Sequence, residues 1–297
     1  MRAARYHKTG GPEVIQIEEM EVPEPGKGQV RIKVQAAGVN PADWKQRKGF
    51  FGSPPPQTVG MEGSGTIDAL GEGAEGFQIG AAVFGVFPAA TAEYAIADTV
   101  GLAIRPAALK SNDAAGVPIA ALTAWQDLFD MAKLEKGQRV LIHAAAGGVG
   151  SYAVQFARWK GAQVVGTASP ENHAYLRELG ANETVDYHGA WEDATAPVDV
   201  VIDTIGGKTS ERSLKILKEG GIMVSLTREP GEASGKRWVF HSMKPKPGQL
   251  IQIAELIAKG KIRTNTEKVF PFEQVGEAQR VSEEGHTRGK LIVQVAP

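Results

Sequence analysis

The chain is 297 residues long, 42% hydrophobic and 23% charged, with a formal net charge of −1. These values describe a globular chain with room for two domains, and they leave no electrostatic case for nucleic acid or an anionic lipid surface. With no cysteine, a disulfide framework, a thiolate-ligated zinc lobe and a cysteine nucleophile are excluded.

The six histidines, His7, His143, His173, His188, His241 and His286, are never three or four apart, so no helix presents a paired metal-ligand face and no metal is expected. No apolar signal core opens the chain and no eighteen apolar residues run together, so a cytoplasmic location is the default expectation. The first hundred residues read as β. In Gln29 to Gln35, Val30, Ile32 and Val34 alternate with polar residues, the period of a half-buried strand. Pro23–Gly26, the Gly52–Pro56 cluster and eight glycines between Gly60 and Gly85 punctuate further short strands, which predicts a compact barrel-like domain.

The period changes near residue 111. Ser111-Asn112-Asp113 starts a helix, and another is expected from Thr123 to Lys133. Helices and strands then alternate. Strands are expected at Arg139–His143, Gln163–Thr167, Val198–Asp203 and Ile222–Leu226, with helices at 149–160, 171–179 and 209–218. That rhythm implies a parallel sheet covered on both faces. Lys290 to Val295 returns to β character and is expected to rejoin the first domain.

One turn stands out because of where it sits. Strand 139–143 feeds Ala144-Ala145-Ala146-Gly147-Gly148-Val149-Gly150, and a helix follows at once. Small residues let backbone approach a pyrophosphate, and the helix N-terminus offers free N–H groups and a positive dipole end. Ala144 stands where the first glycine of a G-x-G-x-x-G pattern would be. About twenty residues on, where an NAD site places an acid on the ribose 2′-hydroxyl, the chain reads Thr167-Ala168-Ser169-Pro170. Ser169, with His173 or Tyr187, could meet a 2′-phosphate, so NADPH is favoured, against which Glu171 stands close by. Ser169 also reads as the cap of the helix beginning at Pro170.

At these residues the chain resembles the zinc-independent quinone oxidoreductase and alkenal reductase branch of the medium-chain dehydrogenase/reductase superfamily. The matching stretches are Ala37–Lys45, Thr91–Ala95, Ala121–Trp125, Val140–Gly150, Asp203–Gly207 and His286–Lys290. The resemblance implies an α/β fold in which a GroES-like β-barrel catalytic domain, residues 1–115 and 265–297, is split by a Rossmann-type doubly wound parallel-sheet domain, residues 116–264. It implies an NADPH-dependent transfer of hydride to quinones or to the alkene of α,β-unsaturated carbonyls, and a homodimer. Zinc-dependent relatives carry Cys and His-Glu where this chain has Asn40-Pro41-Ala42-Asp43 and Gly60-Met61-Glu62.

The cofactor-contacting positions the resemblance implies are Asn40, Thr123, Ala146, Gly147, Gly148, Val149, Gly150, Ser169 and Tyr187; His173 beside Ser169, and Thr204, Gly206, Arg288 and Lys290 in the matching stretches, are further candidates. Asn40, Asp43 and Lys45 are the candidate catalytic residues, with Asn40 orienting the nicotinamide ribose. Blander roles stand beside these: Asp43 as first-turn acid of a short helix, Thr123 as a helix cap, Lys290 as a solvated strand flank. Two other functions stay open. One is a catalytically idle NADPH-binding sensor on the same fold. The other is an enoyl-thioester reductase, which would want a catalytic Tyr in the Asn40 loop that this chain lacks.

Overall fold

A computed structural model describes residues 1–227 and 235–296. The chain divides into two compact units, Met1–Ile119 with Pro245–Pro297, and Ala120–Lys244.

In the first unit, strands β1 (Arg2–Tyr6), β2 (Gln16–Glu19) and β3 (Gln29–Val39) precede helix α1 (Pro41–Arg47). Strands β4 (Gln57–Thr58), β5 (Glu62–Leu70), β6 (Ala82–Val86), β7 (Tyr94–Asp98) and β8 (Leu102–Ile104) follow, then helix α2 (Ser111–Ala115). β1 pairs β2 and β4 in a small sheet. β3 organises the larger one. Its first half pairs β7 from Gln29 to Lys33, and register shifts along its pairing with β5 mark where it bends. The alternation read from the sequence places Val30, Ile32 and Val34 in the core, where they meet Phe270, Phe272 and Val293.

Helix α3 (Pro118–Trp125) contains the point where the chain passes into the second unit. There it runs into six residues of π-helix, Gln126–Met131, rather than the continuous α-helix the pattern predicts. Strand β9 (Arg139–Ile142), helix α4 (Gly148–Lys160), β10 (Gln163–Ala168), α5 (His173–Leu179), β11 (Glu183–Asp186), β12 (Val198–Asp203), α6 (Lys208–Ile216), β13 (Leu217–Ser225) and β14 (Arg237–Phe240) complete it. The strand order is β11-β10-β9-β12-β13-β14, every neighbour parallel, which is the 3-2-1-4-5-6 order of a dinucleotide-binding sheet. Its core gathers Leu141, Val165, Val201, Leu214 and Met223 around Trp191. Gly161 and Gly180 end α4 and α5 with φ of 88° and 108°, the left-handed stop that glycine permits. The helix expected to 218 ends at Ile216, because Leu217 already pairs with Val198 as the first residue of β13.

The chain then returns to the first unit with α7 (Pro247–Ala258), β15 (Thr266–Pro271), α8 (Val275–Glu284) and β16 (Lys290–Gln294). Residues 245–264, read from sequence as part of the nucleotide-binding domain, cluster instead with the first unit, where α7 packs on β8. β16 pairs the second half of β3, Leu291 opposite Val39. Among the described residues no helix is long and apolar enough to cross a membrane.

Candidate functional site

In the second unit the six parallel strands bring their C-terminal ends to one edge, and the predicted dinucleotide residues follow those ends. After β9 the backbone turns sharply. Ala144 sits at φ 44°, a left-handed conformation a glycine would take without strain, and its carbonyl accepts the Gly147 N–H at 2.9 Å. Gly150 lies on the inside of this turn. A Cβ there would stand 2.3 Å from the Ala144 oxygen and 2.6 Å from the Ala145 Cα. Only hydrogen fits. The helical ladder of α4 starts with Ser151 N–H donating to Gly147 O, so the N–H groups of Gly148, Val149 and Gly150 have no acceptor in their own helix. Ala146 is buried, with Gly147, Gly148 and Val149 half-buried beside it. This cradle fits a pyrophosphate.

One strand along, at the end of β10, the Ser169 hydroxyl donates to Glu171 at 2.5 Å and accepts from the Asn172 amide at 3.1 Å. It does not cap the following helix through its side chain, contrary to the sequence reading. The Ser169 hydrogen bond holds Glu171 below its usual carboxylate range, so the group is a charge at neutral pH. His173 lies against the Ala168 carbonyl at 3.2 Å, and Tyr187 follows β11 exposed, its ring 4.1 Å from that of His188.

After β12, Asp203 shapes the next loop. Its carboxylate accepts the Ile205 and Gly206 N–H groups and the hydroxyls of Ser210 and Ser225. Gly206 takes φ 87°, where a Cβ would strike Thr227, and the Thr204 hydroxyl donates to His143 O at 3.3 Å. Thr123 is buried in the second turn of α3 and is therefore not a helix cap.

The first unit holds a buried polar network. Lys290, at the start of β16, is 4% exposed, so the solvated-flank reading fails. Its ammonium donates to Val39 O at 2.9 Å, Asn40 Oδ1 at 2.6 Å and Glu62 Oε1 at 2.9 Å. The Asn40 amide in turn donates to Glu62 Oε1 at 2.8 Å, and Glu62 Oε2 accepts the Ile119 N–H at 2.7 Å. Gly38 is required here, since a Cβ would come within 2.4 Å of Glu62 Oε1. Asp43 is the first-turn acid of α1, its Oδ2 accepting the Asn40 N–H at 2.7 Å. Its Oδ1 has no hydrogen-bond partner and lies beside a cavity of about 80 Å³ shared with Tyr6, Gln46, Thr58 and Gly60. Burial pushes the Asp43 carboxyl up to about 7, against the opposing pull of the Asn40 N–H and the Lys290 charge.

The structure thus brings Asn40, Asp43 and Lys290 together. Lys45 stands apart, its ammonium 5.5 Å over the Trp44 ring, and Arg288 is exposed two residues before Lys290. Glu62 and Asp203 were not singled out in sequence. Each carries a faint signal: Glu62 and Ser64 are polar residues at inward positions of a strand rich in glycine, and Asp203 closes the apolar run from Val198 to Ile202.

Two families match the chain, the alcohol dehydrogenase GroES-like domain over residues 26–104 and the zinc-binding dehydrogenase over residues 179–293. The quinone oxidoreductase of Coxiella burnetii superposes with a TM-score of 0.95 at 34% identity, covering 99% of both chains. The chain is 32% identical to the chloroplastic NADPH-dependent alkenal/one oxidoreductase of Arabidopsis thaliana, over all of this chain and 80% of that one. It is also 33% identical to the spectinabilin polyketide synthase system protein NorB of Streptomyces orinoci, over 91% of this chain but only 13% of that much longer protein. The chain belongs to the medium-chain dehydrogenase/reductase superfamily, in its zinc-independent quinone oxidoreductase and alkenal reductase branch.

Proposed function

We propose that the chain is an NADPH-dependent oxidoreductase that delivers hydride, without zinc, to quinones or to the alkene of α,β-unsaturated carbonyls. The observation that carries the reading is the turn between β9 and α4, where Gly150 leaves no room for a side chain and three helix N–H groups stay open. The pyrophosphate would lie on Gly147, Gly148, Val149 and Gly150, with Ala146 and Thr204 beside it and Gly206 shaping the next loop. Bound there, a reduced nicotinamide supplies the hydride. What the protein contributes is position, since a fixed near-attack geometry removes much of the barrier.

Asn40 orients the ligand, and its own orientation is locked: one amide hydrogen goes to Glu62 and its oxygen to Lys290, leaving the second amide hydrogen to donate. All three Lys290 ammonium hydrogens are engaged, so we place Lys290 behind Asn40 rather than on the cofactor. Asp43, whose carboxyl burial raises to about 7, organises the polar contacts beside the cavity. The zinc-free part of the reading is supported by Glu62, the acid of the Gly60–Glu62 loop, being paired with the Lys290 ammonium at 2.9 Å.

Steady-state rates with NADPH and NADH, each crossed against 9,10-phenanthrenequinone, 1,4-benzoquinone and trans-2-hexenal, test the reading. Turnover with NADPH preferred is the expected outcome. Binding of NADPH without turnover of any acceptor would instead make this a coenzyme sensor. The match to a polyketide synthase protein favours one further acceptor class, so crotonyl pantetheine belongs in the panel. Glu171 is a charge facing the expected 2′-phosphate position. Glu171→Gln should therefore raise the NADPH-to-NADH ratio of kcat/KM by about five- to tenfold, as removing one exposed like charge does.

A further inference from the structure

The second unit carries a His–Asp pair that the reading above does not use. Asp127 is fully buried in the π-helical segment, and its Oδ1 lies 2.5 Å from Nδ1 of His241, the residue that follows β14. Wide i+5 turns of this kind are rare and gather at functional sites, because they re-aim adjacent side chains. Here the bond from Ala132 N–H to Asp127 O marks the wide turn. Gln126, one residue earlier, donates to Lys244 O at 2.7 Å and accepts the Lys244 N–H at 3.1 Å. Gln126 and Asp127 together pin the segment 241–244, so the imidazole cannot swing.

The two ends of the pair are treated differently. The second Asp127 oxygen is buried with no hydrogen-bond partner, and burial raises the carboxyl above its usual range despite the opposing pull of His241. A purely structural tie would be expected to satisfy that oxygen. The His241 side chain keeps 8% of its surface exposed, and its Nε2 has no hydrogen bond among the described residues. The pair is a buried carboxylate, an oriented imidazole and one open nitrogen.

Topology says which half of a bound dinucleotide His241 would lie nearest. In sheets of this strand order a dinucleotide binds across the crevice at the switch point, here between β9 and β12, so an adenosine ribose would lie over the end of β10. The nicotinamide half would then run the other way, toward the ends of β12, β13 and β14. His241 leaves the end of β14 with its N–H on Ser225 O at the end of β13, roughly 12 Å from the crevice by the spacing of neighbouring strands.

We propose that His241, held by Asp127, is the proton donor of the reductase: its Nε2 hydrogen-bonds the carbonyl oxygen of an α,β-unsaturated acceptor and protonates the enolate. The proposal rests on the reductase reading. A reduced nicotinamide bound here would supply hydride, whose electron pair forms the new C–H bond at the β-carbon of the acceptor. The alkene pair moves to the α-carbon–carbonyl bond, and the carbonyl π pair moves to oxygen. That oxygen takes the proton as the Nε2–H bond breaks; the enol tautomerises in water, and His241 is reprotonated from solvent. His241 is the catalytic residue and Asp127 a positioning residue.

The test compares the full-length wild type with His241→Asn, whose amide can keep the Asp127 bond but has nothing at the Nε2 position. Melting temperature and NADP⁺ affinity should be retained, while kcat for trans-2-hexenal falls about 100-fold, the scale of general acid catalysis. A second readout needs no turnover. 4-Nitrophenolate, a conjugated oxyanion like the enolate, should bind the NADP⁺ complex at least tenfold more weakly in the variant, a loss on the scale of a charge-assisted hydrogen bond. Asp127→Asn should lower kcat less and leave nitrophenolate binding largely in place. If His241→Asn melts early, the double variant Asp127→Leu with His241→Leu, which removes the buried carboxylate together with its partner and leaves no donor at the Nε2 position, gives the same comparison. Unchanged kcat and nitrophenolate affinity in a folded His241 variant overturn the dyad while leaving the reductase intact. A wild type that reduces neither enal nor quinone overturns the reductase reading itself, and the dyad with it.

Discussion

Two buried titratable groups pull the stability of this protein in opposite directions with pH. Asp43 is raised from 3.8 to about 7 in the folded state, chiefly by burial. Between those values the folded protein keeps a proton that the unfolded chain has lost, so this contribution is fully present below pH 4 and disappears as pH rises toward 7. His143 is lowered from 6.5 to about 4, again chiefly by burial between Thr167, Ser213 and the Trp191 ring. Its contribution is present above pH 6.5 and is lost as pH falls toward 4. The windows overlap, so the wild-type profile masks both. Asp43→Asn separates them: relative to wild type, the variant should gain stability steadily from pH 4.5 to 7.5, by at most about 4 kcal/mol for a three-unit shift. Urea unfolding at four or five pH values would show it, and parallel profiles for the two proteins would mean that Asp43 is ionised throughout.

At the scale of elements, the turn between β9 and α4 is the segment least tolerant of added atoms. Gly150→Ala forces a methyl group against the Ala144 carbonyl and the Ala145 Cα, both backbone atoms that cannot move without shifting the helix. The substitution should destabilise the protein by about 1–3 kcal/mol, as overpacking does. It should also lower NADPH affinity at least tenfold, because in the proposed function the displaced helix start carries the N–H groups that would meet the pyrophosphate. Fluorescence titration beside a thermal melt separates the two effects. A variant with wild-type affinity would show that the cofactor does not use this cradle.

Over the whole molecule, the two units have separate hydrophobic cores, one built on β3 and its neighbours and the other around Trp191. NADPH at 100 times its Kd should add about 2.7 kcal/mol to whatever it binds when folded. If the cradle of the second unit is the main site, calorimetry should show the gain in the transition that carries the Trp191 core. A single transition that shifts as a whole would mean that the units melt as one, and no shift at all would contradict cofactor binding.

What the sequence determined by itself was whatever is encoded locally. The alternation of Val30, Ile32 and Val34, the apolar run of β12, the glycine stops of α4 and α5 and the strand–turn–helix ending in Gly150 are all short-range patterns, since periods of 2 and 3.6 residues and the steric freedom of glycine act between near neighbours. From them the parallel sheet, the dinucleotide edge and the order of the two fold types could be read. Only the tertiary structure decided where isolated charges went. Lys290 reads as a solvated flank until β16 pairs with β3 and sets its ammonium on Asn40, 250 residues away. Asp127 and His241, 114 residues apart, carry no joint signature in the chain. Residues 245–264 carry no local signal of which unit they join, and they cluster with the first. A charge reports its partner only through space: burial makes an unpaired ion costly, and the pairing that relieves it depends on which strands become neighbours, not on residue spacing.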